Sequence, residues 1–413
     1  MWIVSQIGAR EHYAIPRALH ACGELDMLIT EFWIPPSHFY RLIPGAQRLR
    51  DRFHTDLEGA NVRAPDLRML SFELKQRVLK RCGWPLMMAR NRIFQKQAIP
   101  FLREWESRTD RRAIPHLFSY SYAARDLFRH TKKMGWKTVL GQIDPGPEEE
   151  RIVAEEHLRY PQLASSWQPA PASYWDSWRE ELELADRIIV NSEWSRECLL
   201  KEGVPAEKME VVPLVYGNQH TGGRSQEAVG NFEVTLNSKF KIQNSRPLSV
   251  LFLGQILLRK GIGRLLDAMR MLKDDPIELT LVGASQIDER AWRDLPNVRY
   301  AGPLPRSEVG KYYASSDVFV LPTLSDGYAL TQLEALSHGL PVIASRFCGS
   351  VVQDGVNGRI LPDLEPATIA EILRSAVSYA GTWRSNIATV SDFSLSDLAD
   401  VLLDKKPRFS SRS

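Results

Sequence analysis

The sequence contains no long apolar run, and it uses cysteine sparingly. Its uninterrupted apolar runs reach only a handful of residues, whereas a membrane-spanning helix needs about 20. The first residues enter a predicted strand without a basic leader or a small-residue cleavage site, so we expect no secretion signal. The cysteines stand singly without metal-ligand spacing, which predicts free thiols in a reducing cytoplasm and no zinc site. They are Cys22, Cys82, Cys198 and Cys348.

The net charge is also small, but it hides an uneven distribution. The 53 basic and 50 acidic residues give a net charge of +3, and between Arg41 and Lys133 there are 21 Lys and Arg against 9 Asp and Glu. Two interpretations of this basic segment remain open. In the first, the segment docks on anionic lipid through basic helices that contain aromatic residues. In the second, it is a set of solvated helix faces in an insertion. No nucleic-acid-binding motif accompanies it, so we expect no nucleic-acid partner.

The length of the chain predicts two domains. At 413 residues it exceeds one ordinary hydrophobic core and suggests two domains of roughly 200 residues each. Residues 216–247 are polar, rich in Gly, Asn and Ser, and without sustained periodicity, so we interpret them as a linker or insertion. They separate a predicted N-terminal domain, residues 1–215, from a predicted C-terminal domain, residues 248–392.

The stretch from Asp317 to Ser345 is the most informative part of the sequence. An apolar strand, Val318 to Leu321, is followed by a polar loop, a helix from about Ala329 to His338 and a second apolar strand. This order predicts a parallel βαβ crossover, and ligands of open α/β sheets bind at the carboxyl ends of such strands. Asp326 and Glu334 are predicted to lie there, beside a helix N-terminus whose free N–H groups suit a phosphate.

A second candidate site opens the C-terminal domain. The predicted strand Leu248 to Leu253 ends in Gly254 and Gln255, and Arg259 and Lys260 precede an apolar helix. Lys260 beside a helix N-terminus forms a cationic end that suits a phosphate group. Arg259, next to Lys260, is a candidate for a second cation.

The N-terminal domain offers fewer candidates. Its first strand, Trp2 to Gln6, is followed by Gly8 and by a helix that is predicted to run to His20. A glycine at this turn allows the backbone to approach an anionic ligand. Asp144 follows the strand predicted at Thr138 to Ile143, so it lies at the carboxyl end of a strand and is a candidate for binding a ligand.

Taken in order, these motifs resemble the signature of retaining nucleotide-sugar glycosyltransferases of the GT-B fold, in particular glycosyltransferase family 4 (group 1). The resemblance spans most of residues 185–365 and is patchy before them. Three groups of residues carry it: Gly254 with Lys260, Asp326 with Glu334, and Gly339-Leu340-Pro341.

Several positions depart from the usual pattern of that family. Asp326 stands where Glu is usual, Ala329 replaces the second glycine of a glycine-aromatic-glycine turn, and Gln255 replaces an Arg. The strand that often ends in a His contacting the transferred sugar has none here, and Tyr120 and Asp144 become the acceptor-side candidates. These departures keep open the alternative of a non-catalytic GT-B scaffold or partner protein in polysaccharide assembly.

The resemblance implies an α/β architecture of two Rossmann-like parallel-sheet domains that face a central cleft, with a C-terminal helix at about 393–405 packing back on the first domain. It implies catalytic roles for Lys260, Asp326 and Arg259. A second group is implied in donor binding, namely Gly8, Gly254, Gln255, Gly327, Tyr328, Ala329, Leu330, Thr331 and Glu334.

The expected function is therefore retaining, metal-independent transfer of a hexosyl group from a nucleotide-diphosphate sugar to a glycan or lipid-linked acceptor. Surface polysaccharide biosynthesis in the cytoplasm, with peripheral contact at the inner face of the membrane, is the expected setting, and no cofactor is expected. A sugar-nucleotide epimerase or a phosphorylase of the same fold is a further alternative, because both also hold a sugar phosphate.

Overall fold

The computed structural model describes residues 1–36, 52–108, 113–163, 167–215, 246–387 and 393–405. Within them the chain forms two parallel β-sheets, one in each half, as the sequence predicts. Nearly all of the predicted linker, residues 216–247, lies outside the described residues.

The N-terminal sheet has seven strands in the order β3-β2-β1-β4-β5-β6-β7. Its strands are β1 (Trp2–Gln6), β2 (Leu25–Thr30), β3 (Val62–Arg63), β4 (His116–Tyr120), β5 (Lys137–Gln142), β6 (Arg187–Val190) and β7 (Met209–Val211). Helices cover both faces, which explains why the central strands are buried on successive residues rather than on alternate ones. The helices are α1 (Ala14–Ala21), α2 (Asp66–Val78), α3 (Gly83–Arg108), α4 (Arg125–Lys132), α5 (Pro147–Arg159), α6 (Ala172–Leu184) and α7 (Glu193–Lys201).

The C-terminal sheet has six strands in the order β10-β9-β8-β11-β12-β13. They are β8 (Leu248–Leu253), β9 (Ile277–Val282), β10 (Val298–Gly302), β11 (Val318–Leu321), β12 (Val342–Ser345) and β13 (Gly358–Leu361). Its helices are α8 (Ile262–Met271), α9 (Arg290–Arg293), α10 (Arg306–Ser315), α11 (Leu330–Ser337) and α12 (Pro366–Ser385), and α13 (Leu395–Leu402) follows near the end of the chain.

Both sheets reverse their strand order at the first strand. β1 pairs with β2 and β4, and β8 pairs with β9 and β11. Such a switch point opens a crevice at the carboxyl ends of the strands, where ligands of doubly wound sheets bind. The loops that follow β1, β5, β8 and β11 are therefore the segments that can form a site.

Polar contacts join the two domains along α5 and α8. Arg264 pairs with Glu156 at 2.8 Å, and the hydroxyl of Tyr160 donates to Asp267 at 2.8 Å. The C-terminal helix α13 returns to the N-terminal domain, where it packs on α1. There the guanidinium of Arg187 donates to the carbonyl oxygen of Val401 at 2.8 Å.

The helix that was predicted to begin directly after Gly8 begins later. Glu11, His12 and Tyr13 have positive φ values of 49°, 51° and 61°. Residues other than glycine rarely adopt this left-handed backbone conformation. Residues 10–13 consequently form a left-handed turn, and α1 starts only at Ala14.

Candidate active site

Two cations and one carboxylate meet at the carboxyl end of the C-terminal sheet. Lys260 forms an ion pair with Asp326, and Nη1 of Arg259 lies 3.6 Å from Oδ2 of the same carboxylate. Burial alone would raise the pKa of Asp326, but Lys260 and Arg259 together lower it below its ordinary value. The structure thus brings together the three residues that were predicted to be catalytic.

Gly261 fixes the path of the chain beside Lys260. It has a φ of 74°, and a Cβ built on it would lie 1.9 Å from the carbonyl oxygen of Pro322, so only glycine fits. The backbone N–H of Leu324 also donates to the carbonyl of Arg259 at 2.9 Å. These contacts tie the turn after β8 to the loop after β11, which holds the cations beside Asp326.

The loop that begins at Asp326 runs against the N-terminal domain. A Cβ on Gly327 would lie 2.2 Å from the carbonyl oxygen of Ile143, so glycine permits the close approach of the two domains here. Tyr328 is buried, and it packs with Leu214 and Leu333. Its side chain is therefore part of the packing that fixes the loop.

Ala329 takes the backbone conformation of the glycine that it replaces. Its φ is 64° and its ψ is 77°, which glycine adopts freely and alanine adopts at a cost of about 1–2 kcal/mol. The alanine therefore adds strain to the loop at a position whose conformation suits glycine.

Helix α11 begins directly after this loop, at Leu330, and carries Glu334. The carboxylate of Glu334 accepts a hydrogen bond of 3.0 Å from the hydroxyl of Tyr313, a buried residue of α10. The first turn of α11, which includes Leu330 and Thr331, presents backbone N–H groups without partners inside the helix, as every helix start does. The helix thus places an anion-binding end and an oriented carboxylate on one element.

Gly254 and Gln255 lie at the end of β8. A Cβ on Gly283 would lie 1.8 Å from the carbonyl oxygen of Gly254, so the backbones after β8 and β9 are in close contact. Gln255 is exposed. The second cation at the Asp326 carboxylate is Arg259, and its role in place of Gln255 at a donor diphosphate stays a prediction.

Glu149 links the cation cluster to the N-terminal domain. Its Oε2 accepts a hydrogen bond of 3.0 Å from the hydroxyl of Ser325 and lies 3.4 Å from Nη1 of Arg259. The indole N–H of Trp194 donates to the same Ser325 hydroxyl at 3.1 Å. Burial raises the pKa of Glu149 to about 7, although Arg259 acts in the opposite direction.

Asp144 is held by three donors at the end of β5. Its Oδ1 accepts hydrogen bonds from the Tyr122 hydroxyl at 2.6 Å, the backbone N–H of Gly146 at 2.9 Å and the side-chain amide of Gln142 at 3.1 Å. Burial raises the pKa of Asp144 despite these bonds. The ring of Tyr122 stacks on Tyr174 with centroids 4.7 Å apart.

Asp144, Glu149 and Arg259 line a pocket of about 520 Å³ between the two domains. Leu257 and Ile287 of the C-terminal domain contribute to one wall of the pocket. The opposite side is rich in aromatic rings, and its large side chains are Trp84, Tyr122, Trp167, Tyr174 and Trp175. The site therefore has a cationic side in the C-terminal domain and an aromatic, acidic side in the N-terminal domain.

Tyr120, the other acceptor-side candidate, does not line this pocket. It is only 4% exposed and lies in the N-terminal core beside Glu11. Burial raises the pKa of Glu11 to about 7, and the guanidinium carbon of Arg10 lies 5.6 Å from the centroid of the Tyr120 ring. Tyr120 thus packs under the left-handed turn that follows Gly8, whose own φ is 81°.

Sequence reasoning missed Tyr122, Glu149 and the tryptophans of the pocket. Glu149 lies in the first turn of α5, where the helix dipole favours an acid, and its pairing with Ser325, 176 residues away, has no local signal. Tyr122 has a φ of 72°, and its backbone N–H donates to the buried carboxylate of Glu181 at 2.6 Å. The cluster of aromatic residues between 167 and 178 was the one visible hint.

Among the residues that the structure describes, no group of three or more His, Cys, Asp or Glu side chains is placed to hold a metal ion. None of the described helices combines the length and the apolar character that crossing a membrane requires. The four cysteines are free.

Two parallel-sheet domains with a cleft between them are the architecture that the resemblance to GT-B enzymes implies. Residues 247–378 match the family model described as "Glycosyl transferases group 1". The predicted resemblance to group 1 glycosyltransferases of the GT-B fold is thus confirmed. The family model covers only part of the chain, within the C-terminal domain. The retaining mechanism and the assignment to family 4 stay predictions.

Relatives with assigned names match part of the chain. The amylovoran biosynthesis glycosyltransferase AmsK of Erwinia amylovora is 26% identical over 62% of this chain and 59% of its own length. A D-inositol 3-phosphate glycosyltransferase of Thermobifida fusca is 26% identical over 49% of this chain and 50% of its own length. The chain thus spans about half the length of the curated relatives that it matches.

Solved structures confirm the fold over nearly the whole chain. Sucrose-phosphate synthase from Thermosynechococcus elongatus superimposes with a TM-score of 0.61 at 16% identity, covering 98% of both chains. WaaG, a glycosyltransferase involved in lipopolysaccharide biosynthesis, gives a TM-score of 0.56 at 17% identity over 97% of this chain and 99% of its own. HepE of Anabaena, in complex with UDP-glucose, gives a TM-score of 0.52 at 14% identity over 97% of this chain and 94% of its own.

Proposed function

We propose that this protein transfers a hexosyl group from a nucleoside-diphosphate sugar to a hydroxyl group of a glycan or lipid-linked acceptor, with retention of the anomeric configuration. The observation that carries the proposal is the cluster of Lys260, Arg259 and Asp326 at the cleft, next to the start of α11. Two partly buried cations at the carboxyl end of a doubly wound sheet suit a diphosphate.

Lys260 and Arg259 are proposed to hold the diphosphate of the donor. Without a ligand, their charge is compensated by Asp326 and, for Arg259, also by Glu149. A diphosphate offers the same cations more negative charge, and that charge grows as the bond to the sugar breaks. The two cations and the N-terminus of α11 therefore stabilise the transition state more than the bound donor.

Asp326 and Glu334 are proposed to orient hydroxyl groups of the donor. Glu334, which is held by the hydroxyl of Tyr313, accepts hydrogen bonds from the ribose hydroxyls. Asp326 accepts a hydrogen bond from a hydroxyl of the transferred sugar. Neither carboxylate is needed as a proton carrier in this scheme. The backbone N–H groups from Gly327 to Thr331 supply the remaining contacts to sugar and phosphate.

The chemical step needs no nucleophile from the protein. The bond from the anomeric carbon to the leaving phosphate oxygen breaks, and the acceptor oxygen forms its bond on the same face of the sugar. The departing phosphate takes the proton of the acceptor hydroxyl, so charge and protons balance without another reactant. Because Lys260 and Arg259 supply the positive charge, the proposal calls for neither a metal ion nor a cofactor.

The acceptor is proposed to enter the aromatic pocket of the N-terminal side. Its rings offer flat apolar surfaces to the C–H faces of sugars, and Asp144 and Glu149 offer oxygens to hydroxyl groups. This assignment keeps Asp144 as the acceptor-side residue and gives Tyr120 a supporting place beneath the turn after Gly8.

The comparisons support this proposal by analogy. HepE is a GT-B neighbour in complex with UDP-glucose, and the names of AmsK and WaaG refer to amylovoran and lipopolysaccharide biosynthesis. By the same analogy we propose a role in bacterial surface polysaccharide assembly and a cytoplasmic location, where nucleotide sugars are made.

The direct test is slow hydrolysis of a panel of UDP-, GDP- and ADP-sugars by the purified protein. We expect one donor to release its nucleoside diphosphate and the free sugar, and the Lys260→Ala protein to lose this activity. A non-catalytic scaffold would neither bind nor hydrolyse any donor. Conversion of one sugar nucleotide into its epimer would indicate an epimerase, and a strict need for inorganic phosphate would indicate a phosphorylase.

A further inference from the structure

Helix α2 carries apolar side chains on two opposite faces. Met69 is buried on the inner side of the helix, together with Gln76, which lies two turns further on. Leu67, Leu74 and Val78 are 72%, 52% and 82% exposed. Their spacings of seven and four residues place them in one stripe along the helix, opposite the buried face.

Basic residues border this stripe on both sides. Arg68 and Lys75 each follow a leucine of the stripe, and Arg77 precedes Val78, so they lie about a quarter turn away from it in the two directions. Residues 67–81 contain five Lys and Arg and a single acid, Glu73. Since Glu73 pairs with Arg90 of α3 at 3.1 Å, it leaves the charge of the exposed face strongly positive.

The turn after α2 extends the same surface. Leu79 is 49% exposed, and Lys80 and Arg81 are exposed beside it. We define the α2 face as the apolar stripe with Leu79 and its five basic neighbours, Arg68, Lys75, Arg77, Lys80 and Arg81. Of the eleven large exposed apolar side chains among the described residues, five fall between 67 and 87, so this is a concentrated patch.

We propose that the α2 face docks on a membrane surface that contains anionic lipid. An apolar stripe bordered by Lys and Arg is the composition that lies in the bilayer interface, with apolar side chains at the acyl boundary and cations at the lipid phosphates. A solvated helix face would explain the cations but would leave Val78 and Leu67 exposed without a purpose. The pattern therefore favours the first of the two interpretations of the basic segment.

The α2 face adjoins the mouth of the cleft. Trp84, in the first turn of α3, lines the pocket between the domains, and its ring lies 4.8 Å from that of Tyr174. Docking of α2 would bring this pocket to the lipid surface, which suits an acceptor sugar carried on a lipid. This last step depends on the proposed function, whereas docking itself does not.

The test is co-sedimentation of the full-length protein with vesicles of phosphatidylglycerol and phosphatidylcholine, beside vesicles of phosphatidylcholine alone. We expect binding to the anionic vesicles that weakens at high salt. The triple substitution Lys75→Gln, Arg77→Gln and Arg81→Gln should weaken binding roughly a hundredfold, on the scale of about 1 kcal/mol for each cation. Three exposed cations of the C-terminal domain serve as the charge control, with Lys273→Gln, Arg290→Gln and Arg293→Gln leaving binding nearly unchanged.

A double substitution in the apolar stripe tests whether apolar side chains, and not charge alone, take part in binding to the vesicles. Leu74→Ser with Val78→Ser should weaken vesicle binding roughly tenfold or more, because the apolar side chains no longer enter the interface. Met271 and Leu158 are the matched controls, since they are 50% and 82% exposed elsewhere, and their serine variants should bind as the wild type does. Melting temperatures near that of the wild type would show that all variants are folded.

Three results would overturn the proposal. They are absence of binding to anionic vesicles, equal binding to neutral vesicles, and unchanged binding of the Leu74→Ser, Val78→Ser protein. The last result would mean that charge alone holds the protein on the vesicles, as it would on any polyanion, and that the apolar stripe does not enter the interface. Because no donor or acceptor is present, failure here would leave the sugar-transfer proposal intact, and failure of donor hydrolysis would leave lipid binding intact.

Discussion

The two domains share a topology but offer opposite chemistry at the carboxyl ends of their strands. In the C-terminal domain the loops after β8 and β11 bring Lys260 and Arg259 to Asp326. In the N-terminal domain the end of β5 and the start of α5 present Asp144 and Glu149 among aromatic rings. The fold supplies the cleft in both cases, and the loop residues decide what each side can bind.

This difference divides the proposed reaction between the domains. The cationic side suits the leaving diphosphate, whereas the aromatic and acidic side suits a sugar ring with hydroxyl groups. Glu149 joins the two sides, because it belongs to α5 of the first domain and contacts Ser325 and Arg259 of the second. Substitutions on the two sides should therefore separate donor effects from acceptor effects.

The largest effect is expected from Lys260→Ala. Loss of a preorganised cation at the leaving group should lower kcat/KM by the equivalent of roughly 2–4 kcal/mol, mostly in kcat. Steady-state rates of donor hydrolysis measure it, and urea denaturation verifies that the variant is folded. A kcat/KM equal to that of the wild type would remove Lys260 from the proposed mechanism.

The titration of Glu149 should make stability depend on pH. Its pKa is raised from 4.5 to about 7 in the folded protein, so its contribution to stability is fully present below pH 4.5 and is lost as the pH rises through 7. Over this range the wild type should lose on the order of 1–3 kcal/mol relative to Glu149→Gln. Urea unfolding of both proteins at several pH values measures this difference, and parallel curves would contradict it.

A matched pair of tyrosines sharpens the comparison of the two sides. The Tyr122 hydroxyl donates to Asp144 at 2.6 Å on the acceptor side, and that of Tyr313 donates to Glu334 at 3.0 Å on the donor side. Removing either hydroxyl deletes one hydrogen bond to a carboxylate, and the free energy of the contact that orients that carboxylate should fall by about 1 kcal/mol. Tyr313→Phe should raise the KM of the donor several-fold, whereas Tyr122→Phe should leave donor hydrolysis unchanged and affect only transfer. Equal effects of both on donor hydrolysis would contradict the division.

The smallest effect is expected from Ala329→Gly. Glycine relieves the positive φ of 64°, and this gain is partly offset by the greater freedom of glycine in the unfolded chain. The free energy of unfolding should rise by about 0.5–1 kcal/mol, as measured by urea denaturation. Glycine at Ala335, inside α11, is the control that should destabilise, and a loss of stability in Ala329→Gly would show that the loop is not strained.

The sequence predicted the sheets better than the loops between them. The strands Trp2–Gln6, Leu248–Leu253 and Val318–Leu321 were predicted with the bounds that the structure shows, because buried parallel strands are mostly apolar along their length whatever surrounds them. Lys260 and Asp326 were each assigned to the site from the order of the motifs, but the ion pair between them was not predicted.

Contacts that depend on tertiary packing were not predictable in this way. The left-handed turn at Glu11 contains no glycine to indicate it, and the Glu149–Ser325 contact joins residues of different domains. Tyr120, chosen because it ends a strand at the cleft, is buried in the core because its ring packs edge-on against that of Phe118, at 5.0 Å. Position along a strand indicates the edge of the sheet on which a residue lies, but not which neighbours cover it.

Calorimetric titration of UDP, GDP and ADP into the wild type, Lys260→Ala and Tyr122→Phe proteins tests the central claim most directly. The account predicts that one of the three nucleotides binds the wild type, that Lys260→Ala weakens it roughly tenfold or more, and that Tyr122→Phe leaves it unchanged. Absence of binding by all three nucleotides, or equal weakening by the two substitutions, would contradict the assignment of the donor to the C-terminal domain.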